Sequence, residues 1–311
     1  MLTGEPMPTA FLADRALVSV SGPDAEHLLQ NIITTDLDNL AQGEAKPGAL
    51  LAPQGKILFD FLVSRNGSEG LLLECRQDIA DDLVRRLGMY RLRAKAQIAK
   101  LDPCLVEVRW NTDPSTSDSG SGASSIESAS DADGSVAPGR WVADRRFADA
   151  MVLRRPVPAA TAVAGNVADW HALRIAHGVA ESGADYALGD AFPHDVLLDQ
   201  NGGVGLRKGC YVGQEVVSRM QHRGTARRRV VVAAAERGLP AAGTEITVSG
   251  RAIGTLGSVA AGRAIAIVRI DKAKAAIDAE EPILAGGVPL SLSIPGWAGF
   301  DWPQAAAAEE P

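Results

Sequence analysis

The amino-acid sequence predicts an α+β protein that ends in a small all-β domain, and three observations carry that reading. The 311 residues exceed what one hydrophobic core ordinarily supports, so two or three domains are expected. Segments of helical and of strand periodicity interleave along the chain without the glycine fingerprint of a dinucleotide-binding βαβ unit. From Arg229 onward the character changes to short strands separated by turns containing Gly and Pro.

The elements follow in order. FLADRALVSVSG (11–22) reads as a strand, and Ser21-Gly22-Pro23-Asp24 opens a helix whose apolar stripe is Ala25, Leu28, Leu29 and Ile32. GALLAPQGKILFDFLVSRNGSEGLLLECR (48–76) reads as strands joined by turns at Pro53-Gln54-Gly55 and Asn66-Gly67. Asp78 is expected to cap a helix with Ile79, Leu83 and Leu87 inward and Gly88 as its stop. The following MYRLRAKAQIAKLD (89–102) alternates as a strand. Residues 111–139 are rich in Ser, Gly, Ala and Asp and too poor in apolar groups to offset their ordering entropy. They read as a disordered insertion within a domain, between the strand-like LVEVRW and RWVADRR. Asn166 is a good cap for the helix VADWHALRIAHG, with Gly178 as the stop. RVVVAAAE, TEITVSG, AIGTLGSV, RAIAIVRI and VPLSLSI supply the late strands, and AAAAEEP reads as a frayed tail.

Composition narrows the function. A formal net charge of −7 argues against a protein whose main task is to coat nucleic acid. No stretch approaches the length of a membrane span. The N-terminus resembles neither a secretory signal nor a transit peptide, so the cytoplasm is the expected compartment. Three cysteines without a C-x-x-C do not make a disulfide framework.

One cysteine stands apart. Cys210 lies in GLRKGCYVGQE, where Arg207 and Lys208 can favour the thiolate that serves as nucleophile or metal ligand, and Gly209 and Gly213 permit close approach. Cys75 and Cys104 sit in apolar surroundings and read as buried packing residues. Between Arg207 and Arg229 there are seven Lys or Arg residues and one acid, Glu215, a local reversal of the chain's charge. Such a basic rim suits a small anion or RNA phosphates, but Tyr211 is the one aromatic residue interleaved, so direct nucleic-acid binding is not expected. His171 and His177, six apart on a helix, do not share a face, which excludes them as a metal pair.

Lys208-Gly209-Cys210-Tyr211-Val212-Gly213-Gln214-Glu215 closely resembles the K-G-C-[FY]-x-G-Q-E signature of the YgfZ family. These are folate-binding proteins related to the aminomethyltransferase (T-protein) of the glycine cleavage system and to the mitochondrial factor that matures [4Fe–4S] proteins. SGPDAEHLLQNIITTDL, LLAPQGKILFDFLV and LGMYRLRAK are similar to further family segments in the same order, and the resemblance covers roughly residues 10 to 300 outside the insertion. It implies a three-domain aminomethyltransferase-like fold: a folate-binding core from 10–48 plus 160–226, a ferredoxin-like middle piece at 49–159, and a C-terminal β-barrel at 227–300.

The resemblance implies a folate-binding accessory factor in iron–sulfur cluster assembly or repair, with Cys210 and Lys208 as the reacting pair and Cys210 as a cluster ligand. A transient cluster would be shared with a carrier or client protein, because Fe–S centres ordinarily need four thiolates or equivalents. Tetrahydrofolate is the implied cofactor. Asp195 and Glu181 are the candidate readers of the pterin edge, Tyr211 or Trp170 could stack on it, and Arg207 and Arg229 would face its anionic tail. Asp60 completes the set. Phe59-Asp60 stands where the T-protein has two adjacent aspartates, and Pro193-His194-Asp195 replaces its P-x-E, so an aminomethyltransferase-like one-carbon transferase is the second reading. A factor linked to tRNA modification is the third.

Overall fold

The computed structural model describes residues 7–67, 70–101, 103–111, 139–161, 165–224 and 226–303. Residues 112–138, the bulk of the expected insertion, and the expected C-terminal tail lie outside the described residues. The chain divides into two compact units. The first comprises Met1–Leu51, Leu58–Trp170 and Asn201–Val212; the second comprises Ala52–Ile57, His171–Gln200 and Gly213–Pro311.

The first unit is built on strands β1 (Thr9–Leu12), β2 (Arg15–Ser21), β3 (Glu44–Leu51), β4 (Ile57–Asn66), β5 (Gly70–Arg76), β6 (Gln97–Lys100), β7 (Cys104–Asn111), β8 (Val142–Asp144) and β9 (Met151–Pro158). They form one sheet in the order β1-β7-β9-β8-β3-β4-β5-β2-β6. Leu71, Leu73 and Cys75 alternate inward along β5, as a sheet with one buried face requires. Val18 of β2 lies opposite Leu73. Helices α1 (Ala25–Gln30) and α2 (Ala80–Arg91) cover this face, burying Ala25, Leu28 and Leu29 from one and Ala80, Leu83 and Leu87 from the other.

Several expectations are corrected here. The strand at 11–22 is two strands, β1 and β2, separated by a turn at Ala13-Asp14. Asp78 does not cap α2; its carboxylate accepts from Arg76 Nε at 2.9 Å, and Ile79 occupies the cap position. The helix also runs through Gly88 to Arg91, because the burial of Leu83 and Leu87 outweighs the cost of an exposed mid-helix glycine, about 1 kcal/mol. The strand expected at 89–102 therefore shrinks to Gln97–Lys100.

Helix α3 (Val167–Ala176) is capped as expected. Asn166 Oδ1 accepts from Ala168 N at 3.1 Å, and Gly178 ends the turn at φ +67°, a conformation natural to glycine. The second unit adds α4 (Gln214–Arg223), which begins directly after the cysteine segment and was not anticipated. Its sheet contains β10 (Arg228–Ala234), β11 (Glu245–Val248), β12 (Arg251–Ala260), β13 (Arg263–Arg269), β14 (Ile283–Ala285), β15 (Val288–Pro289) and β16 (Ser291–Ser293), in the order β15-β14-β11-β12-β13-β10-β16. The assigned pairings are antiparallel, as in a small β-barrel. Between β13 and β14 lies a helix missed by the sequence reading, α5 (Ile270–Asp278), which buries Ile270, Ala273 and Ala276.

Candidate functional site

Cys210 belongs to the segment Asn201–Val212, which lies against residues 33–36 of the first unit. Thr34 stitches the two together twice: its Oγ1 donates to Gly203 O at 2.6 Å, and its carbonyl accepts from Gly205 N at 2.8 Å. Lys208 adds two more hydrogen bonds, Nζ to Ile33 O at 2.8 Å and Nζ to Thr35 O at 2.7 Å. The base of this contact is itself braced. Asp36 accepts from Gln30 Nε2 at 2.8 Å and from Asn39 Nδ2 at 2.6 Å, while Thr35 Oγ1 donates to Pro47 O at 2.8 Å.

Electrostatics follow from that packing. Burial pulls the Lys208 ammonium down to about 8, with Asp36 and Asp38 opposing the shift. Burial works to raise Asp36, but the hydrogen bonds it accepts and the charge of Lys208 hold its carboxyl below the ordinary value. Tyr211 is buried, its hydroxyl pushed up to about 12 by desolvation, and the ammonium of Lys208 lies 5.3 Å from its ring centroid. Between these two anchors Gly209 and Cys210 are exposed, and a Cβ added at Gly209 would meet open space. Tyr211 is therefore a packing anchor, not an open stacking platform.

The other thiols differ sharply. Cys75 is buried on β5, and desolvation, then the charges of Asp60 and Glu74, push its pKa up to about 12. Cys104 is buried at the start of β7, and burial raises its pKa as well. Asp60 is half-buried on β4, and Phe59 beside it packs against the core. Trp170 is fully buried, with ring centroids of Trp110 and Phe147 at 6.1 and 5.6 Å, so its place is in the core. Arg207 is exposed.

Asp195, Glu181 and Arg229 fall in the second unit, and all three are buried. Arg229 corrects the expectation of an exposed basic rim: its Nη1 donates to Asp199 Oδ1 at 2.6 Å and to His194 O at 2.9 Å. A guanidinium taken out of water needs such partners. Glu181 lies 3.4 Å from Arg174 Nε, and Arg174 in turn pairs with Asp185 at 2.7 Å. Asp195 Oδ2 closes its own turn by accepting from Phe192 N at 3.1 Å. Burial raises its pKa, against that hydrogen bond and the charges of Arg228 and Lys56. Within their unit each of these three side chains has a protein neighbour. A cavity of ≈ 390 Å³ in the same unit is lined by Asp185, Tyr186, Asp190, Arg228, Glu245 and Thr255, among others, and none of the expected pterin readers borders it.

Among the described residues no group of three or more His, Cys, Asp or Glu side chains comes together in a way that could hold a metal. No helix there is long and apolar enough to cross a membrane. The residues that sequence reasoning missed are Ile33, Thr34 and Asp36, the floor beneath the cysteine segment. Their one signal was the likeness of SGPDAEHLLQNIITTDL to a family segment.

Comparison with known proteins agrees with this architecture. Residues 227–300 match the family described as CAF17, C-terminal beta-barrel domain. The chain is similar to the mitochondrial iron–sulfur cluster assembly factor IBA57 homolog of Chaetomium globosum, with 31% identity over 247 residues, 73% of this chain and 56% of that protein. The chain thus spans about half the length of this fungal relative. It is also similar to mitochondrial IBA57 of Mus musculus, with 28% identity across 96% of this chain and 86% of that one. These names point to the mitochondrion and overturn the expectation of a cytoplasmic protein, which rested on the composition of the N-terminus. Among solved structures, the glycine cleavage system aminomethyltransferase T from Bartonella henselae shares the fold, with a TM-score of 0.67 at 16% identity over 93% of this chain and 85% of that one. The chain therefore carries a domain matching the CAF17 C-terminal β-barrel on an aminomethyltransferase-like fold, and its sequence is similar to the IBA57 assembly factors.

Proposed function

We propose that this protein is an iron–sulfur cluster assembly factor of the IBA57 type, in which Cys210 lends one thiolate to a cluster in passage between partner proteins. The observation that carries this reading is the contrast among the three thiols: Cys210 is exposed in a glycine-flanked turn, while Cys75 and Cys104 are buried in strands. The names of the relatives supply the reaction class. A cluster here is cargo. One thiolate does not complete its shell, so cysteines of a carrier or client protein, or small thiols, supply the rest. The exposed Arg207 beside the motif adds positive charge that favours the approach of an anionic, thiolate-ligated cluster.

Tetrahydrofolate is a second element of the proposal, supported by the sequence resemblance alone. Because Asp195, Glu181 and Arg229 are engaged by protein partners, no step is assigned to it.

The test is genetic and enzymatic. A strain lacking the gene is rescued with wild type, Cys210→Ala, Cys75→Ala or Cys104→Ala, and the activities of [4Fe–4S] enzymes are measured. Cys210→Ala is expected to lose maturation at unchanged protein level, while the other two retain it. Full rescue by Cys210→Ala would sink the proposal.

A further inference from the structure

We propose that Lys208 is a positioning residue: its ammonium clamps the strap Gly203–Lys208 to the backbone of Ile33–Thr35 and thereby fixes how the Cys210 thiol is presented. This rests on the reading above, that Cys210 is the working thiol. It assigns Lys208 a different task from the one its neighbourhood in sequence suggests, which is to lend charge to the sulfur.

Three observations carry the inference. The first is where the ammonium is committed. It donates to the carbonyls of Ile33 and Thr35 at 2.8 and 2.7 Å, and Asp36 and Asp38 face it as counter-charges. A half-buried ammonium so engaged is held by its surroundings and in turn holds them. The second is the fit of the side-chain stem. A Cβ added at Gly205 would lie 2.7 Å from Lys208 Cδ and 2.8 Å from Asp36 Cβ, so the strap admits the lysine only where it passes as glycine. Two Thr34 contacts, to Gly203 O and from Gly205 N, tie the same strap to the same segment.

The third is the alternation of burial. Lys208 and Tyr211 are held, whereas Gly209 and Cys210 between them are exposed and a Gly209 Cβ would touch nothing. An exposed glycine–cysteine pair has no packing of its own to set its direction. Its orientation is inherited from the anchors, and holding it ready spares the ordering entropy that would otherwise be spent on each encounter with a partner.

The experiment uses the full chain and needs neither cluster nor partner. Hydrogen exchange is followed in peptides spanning 203–211, and alkylation of Cys210 by iodoacetamide is measured as a function of pH, in wild type, Lys208→Met, Gly205→Ala and the double variant. Loss of the two charge-assisted bonds is expected to speed exchange in the strap about tenfold or more while strand Arg15–Ser21 stays protected. The pH midpoint of alkylation is expected to stay at its wild-type value. Gly205→Ala is expected to loosen the same peptides, and the double variant to show less than the sum of the two effects, since both act on one contact. Unchanged exchange in Lys208→Met and Gly205→Ala, or a midpoint that moves while exchange does not, would overturn the clamp and leave the proposed function standing. A confirmed clamp beside full rescue by Cys210→Ala would instead overturn the function and leave the clamp.

Discussion

Selective alkylation of the native protein separates a working thiol from two structural ones, and the structure sets the size of the contrast. Iodoacetamide reacts with thiolate, so each rate is the product of access and ionised fraction. Cys75 fails on both counts. It is 1% exposed on β5, a strand paired on both sides by β4 and β2, so the reagent must wait for the sheet to open. With its pKa pushed up to about 12, about one molecule in ten thousand carries the thiolate at pH 8 even when access is ignored. Cys104 is 6% exposed and shifted in the same direction. Cys210 needs no opening at all. A time course at pH 8, quenched, digested and read by mass spectrometry, is expected to label Cys210 at least about a hundredfold faster than Cys75, because the reagent reaches one thiol directly and the other only when the sheet opens. Denaturant should erase the difference. Comparable rates for the three cysteines in native protein, or a Cys210 that resists until denaturation, would refute the assignment of exposure to function.

The sequence displayed those features whose causes are local. A strand was legible at β5, whose alternate residues are buried, and the Ala25, Leu28, Leu29 and Ile32 stripe announced α1, because burial of one face imposes the spacing. Asn166 and Gly178 likewise announced α3, since cap and stop act within a turn of the residue concerned. α5 escaped because Ile270, one of its three buried residues, reads as the end of the strand RAIAIVRI. At the candidate site, the exposed cysteine in its glycine-flanked turn was legible, but the clamp was not. Lys208 binds carbonyls of residues 33 and 35, and a backbone acceptor leaves no trace in residue type. Arg229 misled for a related reason. A run of cations reads as an exposed rim, but Arg229 heads the apolar strand β10, where the partner that lets it be buried, Asp199, lies thirty residues earlier.

Two further measurements test the structure from other sides. Tetrahydrofolate is expected to raise the melting temperature through linkage, by about 2.7 kcal/mol of stability at a hundredfold excess over Kd, and Arg207→Glu to diminish the rise. A rise that survives both Arg207→Glu and Asp195→Ala puts the folate elsewhere, and no rise at all removes it from the proposal. Asp144 tests the core of the first unit. It is fully buried, with Arg146 Nη2 at 2.7 Å and Arg154 Nη1 at 2.5 Å. Burial works to raise its pKa, but the two guanidinium charges and their hydrogen bonds hold it at about 2, below the ordinary 3.8. A depressed carboxyl pKa stabilises the folded state above the unfolded value and loses that contribution as pH falls through the folded one. About 2 kcal/mol should therefore disappear between about pH 4 and pH 2. Asp144→Asn should abolish that part of the acid transition. At pH 7 it should also cost about 3–5 kcal/mol in urea unfolding, because a buried network of two guanidinium groups loses the carboxylate they share. A loss below about 1 kcal/mol, the range of an exposed ion pair, would mean that these charges are solvated and that the core is not packed as described.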